Sequence, residues 1–202
     1  MFKVFLRAFE EGDAKLVNEW RNNKRVQALT CGHFRYVSSV MEKNWVENKM
    51  LNNVTDVYLA ICLNDSSKKL IGYASINQIN YLDRKAHWGG IVIDSTFQSD
   101  FDCLIDSIKL ILQHAFDDLN LHRLTGSCIS EHKASQSMME MMGFSCEGIE
   151  RDSLYKNGTY HNIHLYSLLD EEYYSYVREN GYTRDSIFQR LLTIKKNKIT
   201  KK

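Results

Sequence analysis

The 202-residue sequence contains no proline, no apolar run that approaches the length of a membrane span, and no clear excess of either charge. The missing proline carries no functional conclusion. With 26 basic and 25 acidic residues, no global field points to nucleic acid or membrane as a partner. The first residues alternate as in a strand and lack the basic and apolar regions of a leader, so no signal peptide is expected.

Disulfide and metal patterns are also missing. The five cysteines are scattered, without a CxxC pair or a Cys/His cluster at ligand spacing, so no metal site is predicted. Three of them lie inside apolar runs, which indicates buried free thiols in a reducing compartment. We therefore expect a cytoplasmic protein.

Apolar periodicity predicts one α/β domain over residues 1–181, without repeats or linkers. The predicted strands are Phe2–Phe9, Val57–Leu63, Leu70–Ile79, His87–Ile93, Leu124–Ile129, Phe144–Arg151 and His161–Leu169. The predicted helices are Ala14–Trp20, Ser39–Met50, Leu104–Leu119, Ser135–Met142 and Asp170–Arg178, the last ending near Gly181. Residues 182–202 carry five lysines in their last eight positions and are interpreted as a basic, helical, solvated tail.

Local signals mark several boundaries. Ser39 with Glu42 predicts a capping box for the second helix. Gly143 stands where a glycine in the left-handed conformation ends a helix. The start of the short helix before it follows a strand directly, and free amides at such a position favour an anion.

These elements resemble the GNAT acyl-CoA-dependent N-acetyltransferases, most closely the branch named after the ribosomal-protein acetyltransferases RimJ and RimL. The resemblance runs from Phe5 to about Tyr173. Its main motifs, in family order, are Glu19-Trp-Arg-Asn22, Ile71-Gly-Tyr-Ala-Ser-Ile76, Ala86-His-Trp-Gly-Gly-Ile-Val-Ile93, Ala115-Phe-Asp-Asp-Leu-Asn-Leu-His-Arg-Leu124, Lys133-Ala-Ser135, Gly143-Phe144 and Asn157-Gly-Thr-Tyr-His161.

The resemblance implies a mixed, mostly antiparallel sheet with flanking helices, whose fourth and fifth strands splay apart to hold acetyl-CoA. Backbone groups of Ile91, Val92 and Ile93 would pair with the pantetheine arm. The residues implied to cradle the diphosphate are Gln98, Ser99, Asp100, Phe101, Asp102 and Cys103. His132 and Ser135, after the fifth strand, are also implied to contact the cofactor. The family loop is rich in glycine, which this one lacks, and Asp100 and Asp102 bring negative charge. Alternatively, Asp102 caps a helix that begins near Cys103.

Acetyl transfer to an amine needs a base and a proton source for the thiolate. His132 stands where the family often has asparagine, and Met139 where many members have a tyrosine acid. Ser135 matches a serine that protonates the thiolate in the ribosomal branch, or else caps its helix. The base position of some relatives is Ser127 here, and the other candidates for the base are Glu10, Glu131, His87 and His132.

The acceptor pocket is implied between the first helices and the loop before the last strand. Its candidate residues are Trp20, Arg21, Asn22, His87, Trp88, Tyr155 and Tyr160. Core packing for Trp20 and an internal salt bridge for Arg21 are the alternatives. The predicted function is transfer of acetyl from acetyl-CoA to a primary amine: a protein N-terminus, a polyamine or an aminosugar. A non-catalytic GNAT-like module is the alternative, and a homodimer is one possible assembly.

Overall fold

The computed structural model describes residues 2–180, 183, 185–187, 189, 190, 192 and 193. The strands are β1 (Val4–Ala8), β2 (Val57–Leu63), β3 (Leu70–Asn80), β4 (Lys85–Ile93), β5 (Arg123–Ile129), β6 (Ser145–Lys156) and β7 (Thr159–Leu169). The helices are α1 (Ala14–Arg21), α2 (Lys24–Ala28), α3 (Ser39–Leu51), α4 (Phe101–Gln113), α5 (Lys133–Met141) and α6 (Asp170–Asn180). Gly181 and most of the predicted tail, 182–202, lie outside the described residues.

The strands form one sheet in the order β1-β2-β3-β4-β5-β7-β6. Every neighbouring pair is antiparallel except β4 and β5, which are parallel. Helices α4, α5 and α6 bury their apolar side chains against one face, and α1 and α3 cover the other. The predicted fold class is therefore confirmed. No helix among the described residues is both apolar enough and long enough to span a membrane.

Two glycine signals in the sequence act as predicted. Gly143 has φ of 100°, and its amide donates to the Glu140 carbonyl (3.2 Å) as α5 ends. Asn157 and Gly158, with φ of 52° and 83°, make the tight turn between β6 and β7. Because this turn matches the twist of the paired strands, β6 and β7 continue to it, beyond their predicted bounds.

Two helix starts were assigned to the wrong residue from sequence. Helix α3 is capped by Ser38, whose hydroxyl accepts the amide three residues on (3.2 Å), rather than by Ser39. Glu42 is fully buried and does not complete a capping box. Helix α5 is capped by His132, whose Nδ1 accepts the Ser135 amide at 3.3 Å. Neighbouring polar residues compete for a cap, and the path of the incoming chain selects among them.

The long amphipathic helix and the chain after α1 add details that periodicity missed. Helix α4 passes into a wide turn over His114–Asp118, where the Leu119 amide donates five residues back to His114 (2.9 Å). Helix α2 has only five residues, too few to show an apolar period.

Candidate functional site

The parallel strands β4 and β5 separate near the middle of the sheet. Their ladder has three rungs, the last joining His87 to Thr125, although β4 continues to Ile93 and β5 to Ile129. Gly89 is an extra residue at this point, where the pairing of β4 with β3 shifts. A Cβ on Gly89 would lie 2.2 Å from the Ser75 hydroxyl and 2.3 Å from the Asn77 side-chain amide, so any other residue would force these side chains to shift. The splayed strands implied by the resemblance are thus confirmed.

Backbone groups of β4 face this gap at alternate residues. The Asp94 amide donates to Ile71 on β3 (2.7 Å), and antiparallel ladders alternate, so Val92 also faces β3. Ile91 and Ile93 consequently direct their backbone groups toward the gap. The expectation that all three residues offer backbone groups there is corrected for Val92.

His87 lies on the last rung, on the sheet face that α1 and α3 cover. Its Nδ1 is 3.1 Å from the Thr125 hydroxyl oxygen, which is itself 3.1 Å from the Ala86 carbonyl. A carbonyl only accepts, so Thr125 gives its single proton to Ala86 and accepts the Nδ1–H of His87. The lone pair of the neutral ring is therefore on Nε2. Burial lowers the pKa of His87, which keeps the ring neutral at neutral pH.

His132 has the opposite arrangement. Its Nδ1 accepts the Ser135 amide (3.3 Å), so the neutral ring carries its proton on Nε2 and acts as a donor. Burial lowers the pKa of His132 as well. Burial also raises the pKa of the Cys128 thiol, and a hydrogen bond with the Ser135 hydroxyl opposes that rise. His132 and Ser135 thus lie together as donors at the start of α5.

Glu131 is an exposed residue that pairs with His161 Nδ1 at 3.0 Å. His161 Nε2 lies 3.1 Å from the Lys156 carbonyl, so both ring nitrogens face acceptors, and these contacts raise the pKa of His161. The same pair lowers the pKa of Glu131, which weakens it as a base. Glu10 is an exposed residue in the turn before α1. Across the described ranges, no three His, Cys, Asp or Glu side chains are grouped to hold a metal ion.

A carboxylate occupies the start of α4. Asp100 Oδ1 accepts the amides of Asp102 and Cys103, both at 3.1 Å, so Asp100 caps the helix and the expected cap at Asp102 is wrong. Asp102 instead pairs with Lys3 at 3.1 Å. Burial raises the pKa of the Cys103 thiol to about 11, and the Asp100 charge adds to the shift.

Three predicted acceptor contacts hold the fold together. Trp20 is 5% exposed and packs in the core. Arg21 Nη1 donates to Glu42 Oε1 at 2.8 Å. Asn22 makes two hydrogen bonds to the backbone of Val37, at 2.8 and 2.9 Å. The alternatives raised for Trp20 and Arg21, core packing and an internal salt bridge, are confirmed.

The remaining aromatic candidates differ in how much of each side chain is exposed to solvent. Trp88 is 2% exposed and packs against Phe144 on the face of α4 and α5, with ring centroids 5.7 Å apart. This burial corrects the expectation that Trp88 contacts an acceptor. Tyr155 and Tyr160 are 54% and 62% exposed and pair across the β6–β7 hairpin (5.0 Å), so both remain accessible.

Sequence reasoning missed an arm, residues 22–38, that joins α1 to α3. It begins just after Trp20, whose Nε1 donates to Asp94 immediately beyond β4 (3.0 Å). Further along, burial raises the pKa of the Cys31 thiol, and Ser127 and Ile129 on β5 lie close enough to this thiol to oppose the rise. The arm therefore runs from the end of β4 to β5 and borders the gap. No sequence pattern indicates these contacts, because they join residues far apart in the chain.

Lys156, at the end of β6, links the β6–β7 hairpin to the arm by hydrogen bonds. It is 6% exposed and donates to the carbonyls of Gln27 (2.6 Å) and Thr30 (2.9 Å). Burial lowers its pKa. Lys156 precedes the predicted turn at Asn157-Gly158, but that local signal does not indicate a contact with a segment more than 120 residues earlier in the chain.

Lys156→Met is expected to lower the free energy of unfolding by about 1–3 kcal/mol, because the partly buried Thr30 carbonyl loses its donor and the Gln27 carbonyl loses one of its donors. The KM for the acceptor should rise about three- to tenfold as the arm loses its order. Urea unfolding and steady-state kinetics measure the two effects, with the exposed Lys68→Met as the matched control. An unchanged acceptor KM would show that the contact supports only the fold.

Comparison of the chain with known proteins agrees with the fold and the gap described above. The family model described as the acetyltransferase (GNAT) domain matches residues 6–165. The chain is 25% identical over 171 residues to spermidine N(1)-acetyltransferase of Vibrio cholerae, covering 85% of this chain and 95% of that protein. It is 31% identical over 104 residues to the Bacillus subtilis ribosomal N-acetyltransferase candidate YdaF, covering 52% of this chain and 56% of that one.

A solved structure resembles the whole domain. The crystal structure of spermidine N-acetyltransferase from Vibrio cholerae in complex with CoA and spermine superimposes with a TM-score of 0.78 at 25% identity. The match covers 85% of this chain and 98% of that chain.

Proposed function

Because the chain belongs to the GNAT acetyltransferase family, we propose that His87 is the base with which it deprotonates a small amine before acetyl transfer. The protein is an N-acetyltransferase whose acyl donor is acetyl-CoA. The non-catalytic module considered from sequence is therefore not favoured. The observation that carries the proposal is the hydrogen-bonded chain from His87 through Thr125 to Ala86, at the rung where β4 and β5 part.

The residues around the gap fit the donor's pantetheine arm. Ile91 and Ile93 direct backbone groups into a gap that lacks a paired strand, which suits an extended chain with its own amides. The Ile93 carbonyl also accepts the Gln98 side-chain amide (3.3 Å). Acetyl-CoA supplies the activated thioester. The diphosphate end fits less well, because Asp100 already occupies the amides at the start of α4.

Different side chains at the gap are proposed to accept and to donate the protons of the reaction. His87 Nε2 accepts the proton that the amine loses, and Thr125 holds the ring in the tautomer that leaves this nitrogen unprotonated. His132 and Ser135 lie at the start of α5 as donors, and the predicted role of Ser135 is to return a proton to the departing sulfur. Glu131 is the weakest catalytic candidate, because its ion pair with His161 lowers its pKa.

The acceptor is proposed to be a small molecule. The similar Vibrio protein is a spermidine acetyltransferase, which makes a polyamine the first candidate. A second candidate is an amine on an anionic carrier, such as a nucleotide-linked aminosugar. It is favoured by the arm, because residues 22–38 contain Lys24, Arg25 and Arg35 but neither aspartate nor glutamate. A cationic arm at the gap attracts anions and repels polyamines.

Reversing the arm's charge is expected to move the two acceptor classes in opposite directions. The double variant Lys24→Glu/Arg25→Glu should raise the KM of a phosphorylated aminosugar and lower that of spermidine, each by about three- to tenfold at low salt. CoA release measured with both acceptors and with an alanine-initiated peptide tests this, and Lys68→Glu is the matched control. Equal effects on both acceptors would contradict a role of the arm in recognition, and peptide as the best acceptor would contradict the small-molecule proposal.

Four further expectations remain proposals. A place in the RimJ/RimL branch is supported by the likeness to YdaF over about half of each chain. A cytoplasmic location is supported by free cysteines, of which Cys62, Cys103 and Cys128 are buried. The division into a domain over residues 1–181 with a basic tail, and assembly as a homodimer, also remain proposals.

A further inference from the structure

Most backbone amides of the loop between β4 and α4 already donate hydrogen bonds within the protein. The amides that donate within this loop and the first turn of α4 are those of Thr96, Phe97, Asp100, Phe101, Asp102, Cys103 and Leu104. Gln98 turns its side-chain amide away to the Ile93 carbonyl (3.3 Å), and the Ser99 carbonyl accepts from Phe101 (3.1 Å). The segment that the resemblance assigns to the diphosphate is therefore largely satisfied internally.

The carboxylate of Asp100 is the anion at the centre of this arrangement. Its Oδ1 takes two amides of the first helical turn, those of Asp102 and Cys103, at 3.1 Å each. Such amides, together with the helix dipole, are what a phosphate binds at a helix N-terminus. Lys3 Nζ lies 3.6 Å from an Asp100 oxygen and 3.1 Å from an Asp102 oxygen, so this cation contacts both carboxylates.

We propose that Asp100 is an internal occupant of the diphosphate subsite, so that acetyl-CoA binds fully only after this carboxylate has left the amides of Asp102 and Cys103. The inference rests on acetyl-CoA being the donor. When Asp100 turns outward, the two amides become available and Lys3 keeps its pairing with Asp102. Asp100 then sets the affinity for the donor, because each binding event must displace the cap.

Two substitutions separate the charge of Asp100 from its occupancy of the amides. Asp100→Asn keeps a capping oxygen but removes the charge, whereas Asp100→Gly removes both. The Kd for CoA, measured by calorimetry, is expected to fall about threefold in the asparagine variant and about tenfold in the glycine variant. Thermal unfolding identifies any loss of the folded state, and the asparagine variant remains informative if the glycine variant unfolds.

A donor without a diphosphate makes the test specific. Acetyl-pantetheine carries the thioester and both amides of the arm but no phosphate, so its KM should stay within about twofold of wild type in both variants. Asp106→Asn is the matched control. This residue is also an aspartate of α4, but its carboxylate accepts the Lys3 amide (2.8 Å) and does not cap the helix, so CoA affinity should not change.

The outcomes separate this inference from the donor assignment. CoA affinity that is unchanged or weaker in folded Asp100 variants would overturn the inference while leaving acetyl-CoA as the donor. Equal gains with CoA and acetyl-pantetheine would also overturn it, since the effect would not lie at the diphosphate. Failure of wild type and every variant to bind CoA would overturn the donor assignment and this inference with it.

Discussion

His87→Gln is expected to lower kcat by about 100- to 10,000-fold, the range that a well-placed general base contributes. Glutamine still donates a hydrogen bond to Thr125, but its amide has no basic lone pair to receive the amine proton. The KM for acetyl-CoA should change by less than about twofold, because the substitution removes a proton acceptor and leaves the β4 backbone in place. Steady-state thiol release with saturating amine measures both constants.

The pH profile distinguishes a base from a residue that merely packs. Burial lowers the pKa of His87 below its ordinary value of 6.5, so the neutral ring persists into mildly acidic solution. In the wild type kcat/KM should therefore stay level as pH falls to that lowered pKa and then decline as the ring becomes protonated. His87→Gln should lose this limb.

Two controls accompany the profile. Thr125→Val removes the oxygen that holds the Nδ1 proton, so the tautomer is no longer fixed and an intermediate loss of about tenfold is expected. His132→Gln should keep the acidic limb, because the Nδ1 lone pair of His132 is bound to the Ser135 amide. If His87→Gln retained both kcat and the limb, the base would have to be sought elsewhere.

Arg21→Met is expected to lower the free energy of unfolding by about 3–5 kcal/mol, because it leaves the charge of Glu42 buried without its partner. Glu42 is fully buried, and its second oxygen, Oε2, has no hydrogen-bond partner among the described residues. Arg21 also lies over the Trp45 ring, 4.6 Å from its centroid. Urea unfolding checks the loss, and breaking the exposed Lys43–Glu11 pair with Lys43→Met should leave the stability nearly unchanged, because solvent screens this pair.

A double variant decides between the structural role of Arg21 and the acceptor contact expected from sequence. Arg21→Met/Glu42→Leu removes both charges and should recover most of the stability, since apolar pairs replace buried ion pairs at little cost. If Arg21 acts only through Glu42, the double variant should have the wild-type KM for the acceptor. A KM raised about tenfold in this stable protein would restore Arg21 to the acceptor site.

Most of the fold was predictable from local patterns. Alternation places Phe5 and His87 on strands, the spacing of Ile108, Ile111 and Leu112 makes a helix, and Asn157 starts a tight turn. Such signals depend on a few neighbouring residues and on backbone geometry. Cap positions were less certain, because Ser38 and Ser39, or Asp100 and Asp102, have the same chemistry and differ only in where the chain enters the helix.

The candidate site was predictable in outline. The resemblance indicated β4, β5 and the start of α5, and His87 was among the candidates for the base. Which nitrogen of His87 holds the proton depends on Thr125, across the parallel ladder. Whether Trp88 or His87 faces the acceptor depends on which sheet face the helices of each layer cover. Neither fact has a signature in a single strand.

The sequence by itself determines the α/β sheet and its turns, because these follow from short-range periodicity and glycine geometry. It also carries the motifs by which the chain resembles a known family. Contacts between distant segments, Arg21 with Glu42 and Lys156 with the arm, could be identified only in the folded molecule. The choice of Asp100 over Asp102 as the cap of α4 is local, but it depends on the path by which the chain enters the helix. Polar side chains find such partners only where packing brings distant segments together and excludes water from them. Trp20, Arg21 and Asn22, which the sequence offered for substrate, therefore make contacts within the fold, whereas Tyr155 and Tyr160 stay accessible and His87 keeps an unprotonated Nε2.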